Sequence, residues 1–204
     1  MALFDENVRE QVRAFLNSME SDVLVVFHNK SNECDFCPDI QELLKELNEI
    51  NKKINFKVLD DSYELKPALE IRGKNKGKIV YYGIPSGYEF GPFLSALVNA
   101  STGNAKAIDD ETKAKIKEID KEVNIKIFVT PSCMYCPAIA LASYAFSTIN
   151  DNITTEIIEA SEFPELSNKY KVNAVPKVII NDSEQFVGAV SPDVFVERII
   201  KAIG

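Results

Sequence analysis

The sequence predicts an α/β protein made of two copies of one unit, each a mixed four-stranded sheet flanked by helices. Both halves show the same series of segments: a helix, a buried strand, a second helix, a second strand, an antiparallel strand pair and a last helix. Each buried strand also runs into a Cys-x-x-Cys-Pro sequence. A repeat of about 100 residues indicates duplicated domains, since solenoid units have periods of ~20–50 residues.

Apolar periodicity and capping residues locate the elements. Asp5 is a plausible cap for the first helix of the first unit, and Asp109 or Asp110 for that of the second. The helix after each cysteine pair carries leucine, isoleucine or phenylalanine at helical spacing. Strands are predicted at residues 23–27, 54–59, 125–129, 153–158 and 177–180, and a further strand follows the last of these.

The join between the units is predicted in the small, polar stretch 101–107, which divides the chain into residues 1–103 and 104–204. From Cys34 to Cys133 is 99 positions, whereas from Pro67 to Pro176 is 109. The first unit therefore lacks about ten residues between its second strand and Pro67. The missing piece corresponds to a helix predicted over 162–170. We expect helices on both faces of the sheet.

Composition excludes several classes of function. The formal net charge of −8 disfavours nucleic acid as a partner, because phosphates would be repelled. No apolar run approaches the ~20 residues that cross a bilayer, so no membrane association is expected. The first residues lack the basic flank and apolar core of a signal peptide. We therefore expect a cytoplasmic protein.

The four cysteines form two pairs, Cys34 with Cys37 and Cys133 with Cys136, each at the start of a predicted helix. A thiolate, not a thiol, attacks a disulfide, and the N-terminus of a helix favours that negative charge. We expect Cys133 to attack the disulfide of a partner and Cys136 to resolve the mixed disulfide. Cys34 and Cys37 would act alike. The negative charge of Asp35 would raise the pKa of the neighbouring Cys34 thiol by like-charge repulsion. Cys133 is therefore expected to be the better nucleophile.

A Cys-x-x-Cys pair between a strand and a helix is the thioredoxin-type arrangement. With two such units, the chain resembles the glutaredoxin-like protein disulfide oxidoreductases. Residues 133–137, Cys-Met-Tyr-Cys-Pro, are similar to the Cys-Pro-Tyr-Cys of glutaredoxins, with Met134 in place of proline. Residues 130–137 are also similar to the active site in the N-terminal domain of the alkyl hydroperoxide reductase flavoprotein subunit. That domain keeps cysteines only in its second half, whereas this chain retains a first pair.

The resemblance implies further site residues beside the cysteines. Pro176 and Pro67 occupy the positions where thioredoxin-like folds keep a cis proline. The backbone of Val175 would then bind an extended substrate segment by strand addition. Tyr135, and Phe36 in the first unit, are expected to shield one side of each disulfide, although core packing explains these aromatic residues nearly as well.

The resemblance also implies partners. It suggests a thioredoxin-reductase-like flavoprotein as the electron donor, and peroxiredoxin or other disulfide proteins as acceptors. No Gly-x-Gly-x-x-Gly occurs, so the chain is expected to bind neither flavin nor nicotinamide and to use only its redox-active disulfides. The oligomeric state stays open.

Other interpretations of the cysteines remain. A zinc-binding or purely interacting module is one, although 95 residues separate Cys37 from Cys133 against ~15–20 between paired zinc knuckles. The first pair could be a vestigial structural disulfide, and a disulfide isomerase is a third possibility. His28, six positions before Cys34, is expected at a solvated strand end rather than in a functional role.

Overall fold

The computed structural model describes residues 3–29, 34–59, 63 and 65–204, and both halves show the predicted series of elements. The first half contains α1 (Glu6–Leu16), β1 (Val23–His28), α2 (Cys37–Ile50), β2 (Ile54–Leu59), β3 (Ala68–Arg72), β4 (Lys78–Tyr82), a 3₁₀ turn (Gly87–Glu89) and α3 (Phe90–Thr102). The second half contains α4 (Asp110–Lys117), β5 (Val123–Val129), α5 (Cys136–Ile149), β6 (Ile153–Glu159), α6 (Pro164–Lys169), β7 (Lys177–Ile180), β8 (Glu184–Val187) and α7 (Pro192–Ile203).

The opening helix of each half is capped by an aspartate. The side chain of Asp5 accepts the N–H of Val8 at 2.8 Å, and the side chain of Asp109 accepts the N–H of Thr112 at 2.8 Å. Each cap satisfies one of the four N–H groups that a helix start leaves without an intrahelical partner. Of the two candidates in the second half, Asp109 is therefore the cap.

The stretch between the halves is shorter than predicted. Helix α3 continues to Thr102, and Gly103 ends it in a left-handed conformation with φ 70°. Ser101, expected in the join, is instead buried in this helix. Its hydroxyl oxygen accepts the N–H groups of Glu20 and Ser21, both at 2.8 Å, which ties the end of α3 to the turn before β1.

Each half contributes four strands with the same pairing. In the first half β1 is parallel to β2 and antiparallel to β3, which pairs with β4. In the second half β5, β6, β7 and β8 repeat this pattern. Strands β4 and β6 also pair in parallel, with Tyr82 opposite Ile158. The result is one mixed sheet of eight strands in the order β2-β1-β3-β4-β6-β5-β7-β8.

Helices are distributed unequally over the two faces of this sheet. Alternate strand residues such as Ile79 and Tyr81 enter a main core together with α1–α5 and α7. Their neighbours Val80 and Tyr82 enter a smaller core on the opposite face, against which Leu166 of α6 packs. Helices therefore cover both faces in the second half. In the first half, the described residues place helices on one face only.

The turn between β3 and β4 also joins the halves. The N–H of Gly77 donates to the carbonyl of Ser147 at 2.8 Å, and the N–H of Lys76 donates to the carbonyl of Thr148 at 3.2 Å. Both carbonyl groups lie in the last turn of α5, where helix carbonyls lack intrahelical partners. The first half thus satisfies backbone groups of the second.

Candidate functional site

The second disulfide lies at the start of α5. Cys133 and Cys136 are joined with their Cα atoms 5.5 Å apart, and α5 begins at Cys136. The N–H of Cys136 donates to Cys133 Sγ at 3.1 Å. Cys133 is partly exposed, whereas Cys136 has no exposed surface. Of the two cysteines, only Cys133 therefore reaches the surface.

Local sequence explains why the chain turns into a helix here. Strand β5 ends at Val129, and the N–H of Cys133 donates to the carbonyl of Thr130 at 3.1 Å, which closes a tight turn. Pro137 then occupies the first turn of α5. A proline fits there because an N–H group at that position has no intrahelical partner. The Cys133 sulfur consequently meets the positive end of the helix dipole.

The first disulfide has the same local design. Cys34 and Cys37 have Cα atoms 5.4 Å apart, α2 begins at Cys37, and Pro38 lies in its first turn. Phe36 is 43% exposed here, and Tyr135 is 65% exposed at the second site. Packing in the core therefore does not account for either aromatic side chain.

Both predicted cis prolines are confirmed: the Lys66–Pro67 and Val175–Pro176 bonds are cis. The carbonyl of Pro67 accepts the N–H of Gly83 at 3.0 Å, and the carbonyl of Pro176 accepts the N–H of Gly188 at 2.9 Å. Pro67 lines the same groove as Cys34. Val175 and Cys133 both lie partly exposed at the edge of the main core.

The first half also supports the second disulfide. The N–H of Tyr88 donates to the carbonyl of Pro131, two residues before Cys133, at 2.9 Å. Gly87 has φ +57°, and a Cβ atom there would lie 2.3 Å from the Pro131 oxygen, so only glycine allows this close approach. The 3₁₀ turn that begins with Gly87 therefore holds the cysteine loop of the other half.

Glu89, the last residue of this turn, is the functional candidate that the sequence analysis missed. It is fully buried, and neither carboxyl oxygen has a hydrogen-bond partner within the described part of the chain. Burial raises the pKa of Glu89 to about 8. The hydroxyl groups of Tyr81 and Tyr144 are buried nearby, and burial raises the pKa of each of these tyrosines too. The signal for this candidate that the sequence did contain is a glutamate next to an apolar stretch.

His28 differs from its expected solvated position. It is 3% exposed, its ring stacks on Tyr63 with centroids 3.8 Å apart, and its Nε2 lies 3.3 Å from Glu70 Oε2. Arg72 donates to both oxygens of the same carboxyl group, at 2.9 and 2.8 Å, and lowers the pKa of Glu70 against the opposing effect of burial. His28 therefore belongs to a polar network on the sheet.

Within the ranges that the structure describes, no group of three or more histidine, cysteine, aspartate or glutamate side chains is placed to hold a metal ion. Those ranges also contain no helix that combines the length and apolar character needed to cross a membrane.

Two family models match the chain: a thioredoxin-like domain over residues 13–103 and a thioredoxin domain over residues 123–201. The chain is a tandem pair of thioredoxin-like domains. A solved structure of the NTD_N/C domain of alkylhydroperoxide reductase AhpF from Enterococcus faecalis matches 96% of this chain and 99% of that chain, with a TM-score of 0.86. Its 22% identity makes this a similarity of fold.

Further relatives of the tandem pair share more sequence. A protein disulfide oxidoreductase from Aeropyrum pernix is 27% identical, with a TM-score of 0.84 over 96% of this chain and 91% of that one. An alkyl hydroperoxide reductase subunit of Staphylococcus epidermidis is 29% identical over 188 residues, which cover 89% of this chain and 35% of the relative. The chain thus spans about a third of the length of such curated relatives. The resemblance predicted from the sequence is confirmed.

Proposed function

We propose that the chain is a dithiol–disulfide electron carrier in which Cys133 and Cys136 form the principal redox site. The observation that carries the proposal is the pairing of a partly exposed Cys133 with a buried Cys136 at the start of α5. This arrangement gives one attacking and one resolving sulfur. Similarity to a protein disulfide oxidoreductase supports the same chemistry.

The cycle is a pair of thiol–disulfide exchanges. The Cys133 thiolate attacks one sulfur of a partner disulfide, forming a mixed disulfide, and the partner's other sulfur leaves as a thiolate that takes up a proton. Cys136 loses its proton and attacks Cys133 Sγ, which closes the intramolecular disulfide and releases the second partner thiol. Two electrons pass to the partner, and a reduced dithiol on the donor returns them by the same steps in reverse.

We assign Glu89 the role of taking up the proton that Cys136 loses. Its turn packs against α5, whose first residue is Cys136, and its carboxyl group is buried without a protein partner among the described residues. With a pKa of about 8, this carboxyl group can exchange a proton near neutral pH. Glu89→Gln should lower the rate of disulfide release and flatten its dependence on pH between about 6 and 9.

The proposed extended substrate contacts the backbone of Val175 next to Pro176, with Tyr135 beside it. The exposed aromatic ring of Tyr135 supports this assignment, since it offers apolar contact area next to Cys133. Pro67 would have the corresponding role at the first disulfide, where it shares a groove with Cys34.

The proposed donor is a thioredoxin-reductase-like flavoprotein, and the proposed acceptor is peroxiredoxin or another protein disulfide. Support comes from relatives named as an alkyl hydroperoxide reductase subunit and, at 26% identity over 204 residues, as an NADH dehydrogenase of Ferdinandcohnia aciditolerans. A cytoplasmic setting is proposed with these partners, because paired reactive cysteines suit a reducing compartment.

Reduction of insulin disulfides tests the proposal. Cys133→Ser should lower turnover at least about tenfold, because it removes the attacking sulfur. Cys34→Ser should retain most of the turnover and serves as the matched control. Full activity in a Cys34→Ser/Cys133→Ser double variant would exclude the proposed chemistry, and equal losses in the two single variants would refute the ranking of the sites.

A further inference from the structure

Five buried polar atoms near the junction of the two halves have no hydrogen-bond partner among the described residues. They are both carboxyl oxygens of Glu89, one carboxyl oxygen of Glu159, and the hydroxyl groups of Tyr81 and Tyr144. Each of the four side chains is 3% exposed or less. Buried polar atoms are as a rule hydrogen-bonded, and ordered water serves where no protein group does. Such a set of atoms therefore indicates water that bridges these side chains.

The strand register and the charges place the four side chains together. Tyr81 of β4 lies opposite Ile157 of β6, and Glu159 is two residues further along β6, so it points to the same face of the sheet. Burial, and after it the charges of Glu89 and Glu159, raises the pKa of Tyr81. Burial and the charge of Glu89 likewise raise the pKa of Tyr144. We call Tyr81, Glu89, Tyr144 and Glu159 the buried polar cluster.

Glu162 connects the buried polar cluster to solvent. Its N–H donates to Glu159 Oε2 at 2.7 Å, and its own Oε1 accepts the N–H of Ile84 at 2.7 Å. The Glu162 side chain is partly exposed and lines a groove of about 810 Å³ together with Cys34 and Pro67. Burial raises the pKa of Glu162 to about 7, against the opposing effect of the Ile84 N–H. This carboxyl group can therefore both accept and release a proton near neutral pH.

The other charged groups of the groove do not favour either sign of charge. They are two carboxylates and two ammonium groups: Asp35, Glu165, Lys66 and Lys169. A small base such as imidazole can therefore enter the groove in its neutral or its protonated form. Of the three carboxyl groups in the lining, Glu162 is the one whose residue is hydrogen-bonded to Glu159.

Glu89 itself needs a connection to solvent, because its side chain has no exposed surface. If it takes up the proton of Cys136, as proposed above, it must release that proton before the next cycle. With a pKa of about 8, Glu89 also carries a proton in about nine molecules of ten at pH 7. In those molecules the proton must leave before Cys136 can react.

We propose that protons leave Glu89 through the buried polar cluster, pass by way of Glu159 to Glu162, and enter solvent in the groove beside the first disulfide. This path rests on the role proposed for Glu89. Bridging water and the tyrosine hydroxyls carry the proton from Glu89 to Glu159. Each transfer forms one O–H bond while another breaks, and only sulfur atoms change oxidation state. The first half thus supplies both ends of the path, the acid Glu89 and one wall of the groove.

The test measures the resolving step at the second disulfide, in a reduced Cys34→Ser/Cys37→Ser parent at pH 7. The Cys133 thiolate attacks 5,5′-dithiobis(2-nitrobenzoate), and one coloured thiolate leaves as the mixed disulfide forms. Cys136 then loses its proton and attacks Cys133 Sγ, which closes the protein disulfide and releases a second coloured thiolate. Stopped-flow absorbance gives the rates of both releases.

We expect Glu162→Ala to slow the second release at least about threefold, because Glu89 then loses its proton more slowly. Glu162→Gln keeps an oxygen that can accept the Ile84 N–H but cannot carry the proton, so it should be equally slow. Imidazole should restore the rate in Glu162→Ala, where it can replace the missing carboxyl group. Glu165→Ala is the matched control, since it removes an exposed carboxylate of the same groove. Its rate should equal that of the parent with and without imidazole.

Three results would overturn the proposed path. One is a second release in Glu162→Ala as fast as in the parent. Another is a slow Glu162→Ala variant that imidazole does not restore. The third is Glu162→Gln at the rate of the parent, which would mean that the hydrogen bond to Ile84 alone matters. The first release needs only Cys133, so an unchanged rate there shows that each variant keeps its site intact.

Glu89→Gln separates a failure of the path from a failure of the proposed function. A second release that Glu89→Gln does not slow would remove the role proposed for Glu89, and the path with it. A second release that Glu89→Gln slows and the Glu162 variants leave unchanged would overturn the path alone.

Discussion

Cys133 and Cys136 are three residues apart in the sequence, yet they differ in access to solvent. Cys133 is partly exposed beside the apolar side chains of Met134 and Tyr135, whereas Cys136 is fully buried in the main core. Because the reaction with a partner needs direct contact between sulfur atoms, this difference supports the proposal that Cys133 starts it. The proposed order of attack, Cys133 first and Cys136 second, therefore rests on exposure.

This difference predicts how single variants react with a disulfide reagent. In Cys136→Ser, the remaining thiol at Cys133 should form a stable mixed disulfide with 5,5′-dithiobis(2-nitrobenzoate). In Cys133→Ser, the buried Cys136 should react at least about tenfold more slowly, because the protein must open first. Both variants need Cys34→Ser/Cys37→Ser as a common background. Equal rates of chromophore release would contradict the predicted order.

Glu89 predicts how stability changes with pH. Burial raises the pKa of Glu89 to about 8 in the folded protein, from an ordinary value of 4.5. The folded state therefore holds this proton more tightly than the unfolded state, and the resulting stability is complete below about pH 4.5 and is lost as the pH rises to about 8. Glu162, with a pKa raised to about 7 by burial, has the same sign.

We expect the free energy of unfolding of the native chain to fall between pH 5 and pH 8, by on the order of 3 kcal/mol for Glu89. Glu89→Gln should remove most of this slope between pH 7 and pH 8, where Glu162 is already at least half ionised and contributes less. Urea unfolding at each pH, followed by circular dichroism, measures this change in the free energy of unfolding. Glu197→Gln, an exposed change, is the control. A Glu89→Gln profile parallel to that of the native chain would show that the carboxyl group does not titrate as described.

Among the elements, an asparagine at the corresponding position of each half joins two helices. Asn150 ends α5, and its side-chain amide donates to the carbonyls of Ile116 and Ile119 at 2.7 and 2.9 Å. Asn51 ends α2, and its amide donates to the carbonyl of Leu16 at 3.0 Å. Each asparagine thus satisfies carbonyl groups at or just beyond the end of the preceding helix.

These contacts predict unequal costs of substitution. Asn150 is 4% exposed and makes two such bonds, whereas Asn51 is partly exposed and makes one. Asn150→Ala should therefore lower the free energy of unfolding by about 3 kcal/mol, and Asn51→Ala by about 1 kcal/mol. Urea unfolding of both variants measures the difference. A larger loss in Asn51→Ala would contradict this account.

The arrangement of the elements could be predicted from the sequence only in part. Duplication aligned Pro67 with Pro176, so both cis prolines could be predicted, as could the helix starts at the cysteines. Period-two alternation shows which strand residues share a face, but not which helix covers that face. The position of α6 beside the groove that Cys34 and Pro67 line was therefore not predictable. Glu89 was missed because burial of a lone carboxyl group depends on residues distant in sequence.

At the scale of the whole molecule, the two halves share one sheet. Strands β4 and β6 pair over five residues, and the turn before β4 donates two hydrogen bonds to the end of α5. The 3₁₀ turn of the first half also donates a hydrogen bond, from Tyr88, to the loop before Cys133. Neither half buries its edge strand without the other, so we expect the chain to unfold in one cooperative transition rather than two.

Gly77 allows a direct test of this coupling. A Cβ atom at Gly77 would lie 2.1 Å from the carbonyl oxygen of Ile153 and 2.5 Å from that of Asn150, so Gly77→Ala must push the two halves apart. We expect a loss of about 2–4 kcal/mol in the free energy of unfolding. Gly91→Ala is the matched control, because the added Cβ meets nothing within 4 Å beyond its chain neighbours and its own helix backbone, and alanine favours the helix.

Urea unfolding of these two variants and the native chain, followed by circular dichroism and by tyrosine fluorescence, completes the test. The two signals should coincide in the native chain and in Gly91→Ala, whose stability should change by no more than about 1 kcal/mol. In Gly77→Ala the midpoint should fall, and the signals should separate if the halves then unfold one after the other. A native chain with two separate transitions, or a Gly77→Ala variant as stable as Gly91→Ala, would mean that the shared sheet does not couple the domains.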